Sequence, residues 1–474
     1  MSYFAYHLRR LALSYSLEGM MRFNAWRISL GELKAGLSVT SEPLPDNPTC
    51  PEDFRPLENA CFQHPYSFYK MIRDHYPVYQ LPNGIFCISR YEDIVELSRN
   101  TDTFSSSSQG VVAGLKPGQD IEKKIKALKR FGDLGLVPAD VLATTDPPAH
   151  TVERKVGHSG LNARFVKSLE PEIEKLCHQM MDKFIDTGKV EFMQEFGWRL
   201  PMILIIRLLG LPEKDFKMIK AWCVHGVNSQ SGIASKSDLM RSQAAMFAFV
   251  RYCWSQYLKA KRDPGEGLMG KLVMAAKDPD SPFDDKLAVS TIFQLIIAGS
   301  DSSATSMGNA LKMLIENPEL QKEISDDLDN KLPAFVEEVF RLEAAFQGMF
   351  RWTKKDAELH GVKLPEGSRI FLMWASGNRD ERFWDAPGVI NLNRKNGKKH
   401  LTFGHGIHAC IGRELARMEI RIVLREFLKR TENMYIDGDA PFVASMFART
   451  LLSLPVCFDS RPQIEPDNSI ERAA

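Results

Sequence analysis

From Pro147 onward, apolar residues recur at three- and four-residue spacing over long stretches, the period of helices that bury one face. The longest run, residues 287–317, is apolar over most of its length, which predicts a helix through the centre of the body. Strand patterns are few. Residues 78–89 read as a strand pair around the turn Pro82-Asn83-Gly84, with Ile85, Phe86, Cys87 and Ile88 suited to a strand. Residues 91–99 then read as a helix. Strand-like pieces return at 361–364, at 369–374 and near the C-terminus. Residues 41–57 carry five prolines and predict an extended entry segment. Residues 105–142, rich in Ser, Gly and Lys, predict a long loop region with a short basic helix. The pattern predicts a mainly α protein with a minor β part. It has no internal repeat and no linker, so residues 43–474 read as a single domain behind an N-terminal extension, residues 1–42.

That extension mixes Leu8, Leu11 and Leu13 with Arg9, Arg10, Arg22 and Arg27, and carries Met20, Met21, Phe23 and Trp26. It reads as a helix packed on the body or a partly ordered tail. The alternative is membrane contact through a basic amphipathic helix. No run of eighteen uninterrupted apolar residues occurs, so no transmembrane helix is expected. Lys and Arg total 61 against 60 for Asp and Glu, which gives no argument for a nucleic-acid partner. The eight cysteines are scattered, without a C-x-x-C pair or zinc spacing, and no secretory signal is visible. They read as reduced thiols of a cytoplasmic protein, mostly packing residues.

The segment Phe403-Gly404-His405-Gly406-Ile407-His408-Ala409-Cys410-Ile411-Gly412 changes that picture for one cysteine. Glycines on both sides let the backbone turn tightly and approach a bulky group. The helix-forming run Arg413–Glu419 follows, so the sulfur sits near a helix N-terminus, where amides stabilise a thiolate. His408 is placed to bond an anionic edge of the same group. In the long apolar run, Gly299 and the serines of Ala298-Gly299-Ser300-Asp301-Ser302-Ser303 weaken a helix. They predict an opened hydrogen-bond ladder with space for a small ligand. Asp301 is either a proton-transfer group or a buried, hydrogen-bonded acid near a kink.

The cysteine segment resembles the haem-binding loop of the cytochrome P450 family, F-x-x-G-x-H-x-C-x-G, at every fixed position. Chance would produce that match on the order of once in ten thousand chains or fewer. The resemblance implies a cytochrome P450 fold with a long central helix over haem b, whose iron takes its axial thiolate from Cys410. Phe403 would pack beside that ligand. Ala298–Ser303 resembles A-G-x-D/E-T-T, so Asp301 and Ser302 would relay protons to O2 beside Gly299, with serine in place of the usual threonine. Glu338 and Arg341, otherwise an ordinary helix pair, match the structural E-x-x-R. Its third basic partner is either missing or supplied from elsewhere, with Arg394 as the candidate. His150 and Arg154 match D-P-P-x-H-x-x-x-R, and with Arg351 and His408 they would hold the haem propionates; each alone reads as a surface charge.

By position, a substrate pocket would be lined by Val111, Val112 and Leu115, by Leu295 and Ala298, and by Phe346, Gln347, Met446 and Phe447. The implied activity is a monooxygenase inserting one atom of O2 into a small hydrophobic substrate. Electrons would come from NAD(P)H through a ferredoxin reductase and a ferredoxin docked near Arg413, Lys398 and Lys399. The alternatives are a peroxide-using haem-thiolate enzyme and a non-catalytic haem-based sensor.

Overall fold

The computed structural model describes residues 3–35, 48–107, 130–137, 141–231 and 234–461. Eight helices position the site: α1 (Tyr3–Ala35), α2 (Ala149–Gly160), α3 (Arg199–Leu208), α4 (Phe216–Asn228), α5 (Lys236–Arg262), α6 (Asp285–Ile315), α7 (Leu328–Leu342) and α8 (Arg413–Arg430). Ten short strands are β1 (Val78–Gln80), β2 (Phe86–Ile88), β3 (Phe104–Ser105), β4 (Lys189–Glu191), β5 (Met349–Thr353), β6 (Ala357–Leu359), β7 (Val362–Leu364), β8 (Arg369–Leu372), β9 (Thr431–Ile436) and β10 (Pro455–Ser460). The fold is mainly α with a minor β part. The larger sheet runs β1-β2-β8-β5-β3, with only β2 and β8 parallel. A second sheet runs β4-β10-β9, and β6 pairs with β7.

Helix α6 is the axis of the molecule. Asp284 starts it, accepting the Lys286 and Leu287 amides at 2.9 Å each and so satisfying two of the free donors of the first turn. Its flanks pack against α3, α4, α5, α7 and α8. Ile292, Ile296, Met307, Leu311 and Leu314 are fully enclosed. By length and composition alone α6 would cross a membrane; here it is the core helix. It is also continuous. The opened ladder expected around Gly299 does not form, because the hydroxyls of Ser300 and Ser302 bond back to the carbonyls of Ile296 and Ala298 at 2.7 Å and ride on the intact helix.

The extension is helical over Tyr3–Ala35 and lies antiparallel along α5. Arg251 bonds Ser14 and Glu18 at 3.1 and 2.6 Å and stacks over Tyr15, while Arg10 stacks over Trp254.

Arg341 on α7 is completely buried. Its Nε and Nη2 donate to the two carboxylate oxygens of Glu338 at 2.8 Å. Its remaining N–H groups reach the carbonyls of Asn378, Pro387 and Val389. Arg394 is the third partner, with Nε 3.0 Å from Glu338 Oε1, and the Asn391 amide reaches Oε2. Burial pushes the Glu338 carboxyl up, but these donors outweigh it and hold it below the usual carboxylate range. The cluster pins residues 378–394 beneath the cysteine segment. Removing one charge strands the others, so Glu338→Gln is expected to cost about 3–5 kcal/mol. Urea unfolding of the purified variant measures the loss; a midpoint like the parent's would sink the claim.

Candidate active site

The segment before α8 is bent by two glycines in the left-handed region, Gly404 (φ 70°) and Gly406 (φ 71°). A Cβ on Gly406 would stand 2.7 Å from the Ser98 carbonyl oxygen, so only glycine fits without a shift. The turn brings the Cys410 amide to the Phe403 carbonyl at 2.7 Å and sets the side chain against a cavity beneath α6. At Gly412, which starts α8, a Cβ would meet nothing within 4 Å. Burial pushes the Cys410 thiol up; the Gly412 amide and the cations Arg154, Arg413 and Arg417 pull it back only in part. Such a sulfur ionises fully when a further positive centre binds it. Phe403 packs on Phe340, ring centres 4.6 Å apart, with the Arg417 guanidinium 4.8 Å from its own ring centre.

About 240 Å³ of the cavity is open to the centre of a water molecule. Leu295, Ala298, Gly299 and Ser302 line it from α6, Leu204 and Ile205 from α3, and Leu415 and Ala416 from α8, with Phe346 and Met349 beside them. The walls are mostly apolar, as suits a hydrophobic ligand.

At one edge the chain gathers polar groups that lack partners. His150 and His408 meet edge to face, 4.6 Å between ring centres. Nε2 of His150 has no hydrogen-bond partner, and the ring of His408 has at most a weak approach to the Leu142 backbone. Burial, then the nearby Arg351 and His150, push the His408 pKa down to about 3, so it acts as a neutral donor. Arg351 lies buried behind them, outside the cavity lining, with Nη1 donating to the Phe350 carbonyl at 2.8 Å, and desolvation lowers its pKa to about 10. Arg154, on the α2 face shared with His150, borders the cavity next to Cys410. Buried donors in this number call for anionic acceptors. Two carboxylates at this edge, with a flat macrocycle reaching from there over Cys410, meet that demand, so these residues fit a haem.

Two buried acids flank the cavity. Asp301 is enclosed, its Oδ2 has no partner, and burial raises its pKa to about 7. It is not among the lining residues, whereas Ser302 is; neighbours on a helix diverge by about 100°. The two expected relay groups therefore face different sides of α6. Glu419 on α8, which the sequence reading missed, lines the cavity beside Ser303, and burial raises its pKa to about 8. Its signal was the apolar period of α8, which turns residue 419 inward with Ile420 and Val423. Trp374, also missed, borders the cavity with its indole N–H unpartnered.

Of the expected pocket residues, Leu295, Ala298 and Phe346 line the cavity. Phe447 does not. It stacks behind Phe346, ring centres 4.7 Å apart, because Phe346 and Ala448 form a β-bridge that turns residue 447 into the neighbouring core. Gln347 likewise points away, bonded to Tyr69 and the Ala344 carbonyl, and Met446 lies beside it, outside this cavity. Val111, Val112 and Leu115 lie outside the described residues.

Residues 256–443 match the family described as Cytochrome P450. The chain is 30% identical over 370 residues to Cytochrome P450 144 of Mycobacterium tuberculosis, covering 78% of this chain and 83% of that protein. It is 27% identical to the Steroid C26-monooxygenase of the same organism, covering 84% and 94%. Among solved structures it resembles cytochrome P450 CYP109Q5 from Chondromyces apiculatus, with TM-score 0.73, 27% identity, and coverage of 86% and 98%.

The isolated acid on α6 makes stability depend on pH. Asp301 ionises near 3.8 when unfolded and at about 7 when folded. The stability it contributes is complete below the lower value and is lost as pH rises through the higher one. Asp301→Asn is therefore expected to flatten the stability profile between those limits. At pH 8 it should raise stability by at most about 4 kcal/mol, less the cost of burying an amide. Thermal melts across pH test this, and an unchanged slope would count against it.

Proposed function

The chain belongs to the cytochrome P450 family and is an oxygen-incorporating oxidoreductase; from that premise we propose that it inserts one atom of O2 into a small, largely apolar organic substrate. The family carries haem-thiolate iron, and we assign haem b to the cavity, where the Cys410 sulfur would hold its iron. When bound, the haem supplies the oxygen-activating chemistry, and the thiolate enriches the iron in electron density.

The protein's own residues do the rest. Arg154, Arg351, His150 and His408 hold the two carboxylates at the cavity edge and so set the orientation of the macrocycle. Phe403 keeps water from the sulfur. Leu295, Ala298 and Phe346 receive the substrate, and Gly299 leaves room beside them. Ser302 presents its hydroxyl oxygen to the cavity while its proton rests on the Ala298 carbonyl, so it can accept one proton and pass on another. Asp301, whose carboxyl burial raises well above the usual carboxylate range, supplies the reserve. Since Asp301 faces away from the cavity, a water or a side-chain rotation must join the two.

Electrons are proposed to arrive from NAD(P)H through a reductase and a ferredoxin. A cationic groove on the outer side of α7 and α8 supports this docking place. Lys167, Lys395, Lys398 and Lys399 line it with Arg417 and Arg421, the last two paired to Glu337 and Glu170 of the same wall. Arg413, also expected there, lies outside that lining, turned toward Glu414. A cytoplasmic setting, which holds such carriers and keeps thiols reduced, completes the proposal.

The observation that carries the reading is the Cys410 thiol beneath an apolar cavity bordered at one edge by Arg154 and His408, with His150 and Arg351 behind them. The decisive experiment is the ferrous carbonyl spectrum, with ¹⁸O2 turnover by ferredoxin, reductase and NAD(P)H against peroxide alone. One labelled atom should enter the product with the electron carriers, and Cys410→Ser should lose both the thiolate band and turnover. Turnover with peroxide but not with the carriers would reject the proposal. A spectral-shift screen of terpenoids, steroids, fatty acids and aromatics finds the substrate. Lys398→Glu with Lys399→Glu is expected to raise the KM for ferredoxin by about tenfold at low salt while leaving the carbonyl spectrum intact.

A further inference from the structure

Helix α1 uses one face to pack on α5 and leaves a second apolar face outward. Arg10, Ser14 and Ala25 are buried against the body. On the outside, Leu8 (51% exposed), Leu11, Tyr15 (59%) and Trp26 (59%) fall within an arc of about 60°, and Phe23 (59%) widens it to about 120°. Of the fifteen large apolar side chains exposed among the described residues, these five and Met20 come from this helix alone. Phe23 and Trp26 touch, ring centres 5.9 Å apart. Exposed Arg9 and Arg27 border the stripe along one edge, and exposed Arg22 lies within it. The sole acid between residues 3 and 29 is Glu18, and it is engaged by Arg22 and Arg251. The stripe continues into a groove of about 470 Å³, where Leu8, Leu11 and Tyr15 face Met218 and Trp222 of α4 and Leu258 of α5.

The geometry points to a lipid surface as the partner: α1 lies along an anionic phospholipid bilayer, with its aromatic stripe in the headgroup boundary and its arginines on lipid phosphates. Aromatic side chains favour that boundary, and arginine side chains reach from an apolar stripe to charged headgroups. An exposed apolar stripe of this length marks a binding surface. Charge decides between its possible occupants. A second copy of the chain would bring the exposed cations Arg9 and Arg27 against like charges, and the one acid among them, Glu18, is already engaged by Arg22 and Arg251. A phosphate-rich surface complements them, and the groove takes an acyl chain. Because α1 rides on α5, this binding would turn the α5 side of the molecule toward the lipid.

The test is co-sedimentation of the full-length, haem-loaded protein with vesicles of phosphatidylcholine alone or mixed with phosphatidylglycerol. Binding is expected to the mixed vesicles, weakened by salt. Arg9→Gln with Arg27→Gln should reduce it by about twenty-fivefold, each arginine contributing a factor of about five. Phe23→Glu with Trp26→Glu should abolish it. All four substitutions are at exposed positions, and an unchanged ferrous carbonyl spectrum shows that each variant is intact. Failure of the parent to bind, equal binding to neutral vesicles, or variants that bind like the parent would each overturn the proposal. So would a concentration-dependent dimer that Trp26→Glu dissolves, since the occupant would then be a second copy.

Discussion

The site depends on a buried charge cluster. Arg341 has no contact with solvent, and every bond it makes holds a different piece of chain: Glu338 on its own helix, and the carbonyls of Asn378, Pro387 and Val389 on the segment that leads to the cysteine. An arginine is suited to this because its planar fork directs several donors at once and stays charged when buried. Arg394 and the Asn391 amide complete the acceptors' demand on Glu338. The same segment reaches the cysteine turn through Asn378, which accepts the Leu401 amide and donates to Thr402. Thr402 in turn donates to the Phe340 carbonyl. The turn that carries the sulfur is thereby tied to α7.

From that anchor the electrostatics of the cavity follow. Its two ends have opposite needs. Beneath α6, apolar walls and partly uncompensated burial discourage charge, so Asp301, Glu419 and the Cys410 thiol all have raised pKa values. At the edge, burial lowers the pKa values of His150, Arg154, Arg351 and His408, and neighbouring cations lower those of His150, Arg154 and His408 further. A flat dianionic group with a cationic metal centre relieves both at once. Carboxylates satisfy the edge, and the metal stabilises the thiolate. The chain thus stores unmet polar demand in a pattern complementary to one cofactor, a common feature of preorganised sites.

The outer surface divides in the same way. The lysine-rich groove lies outside α7 and α8, on the sulfur side of the cavity. The aromatic stripe of α1 lies outside α5. The proposed ferredoxin and the proposed lipid surface would therefore meet different faces of the molecule.

Much of this was written in the chain. The glycine-bracketed turn at Cys410 is local, and backbone sterics make it readable residue by residue. The length and period of α6 marked it as the central helix, and the spacing of Glu338 and Arg341 marked a pair. Docking of distant segments decided the rest. Arg394 completes the cluster because the coil after Pro387 folds back, and its place in the sequence left that open. Glu419 became a cavity acid only when α8 packed under α6. Phe447 and Gln347 turned away because a β-bridge set their register. The serines of α6 did not open the helix, because the hydroxyls of Ser300 and Ser302 bond back to carbonyls one turn earlier. The two-faced character of α1 emerged only when α5 claimed one face and left the other outward. Local sterics and periodicity act between near neighbours, so the sequence carries them. Burial and unmet hydrogen bonds arise between residues hundreds of positions apart, and only the assembled chain determines them.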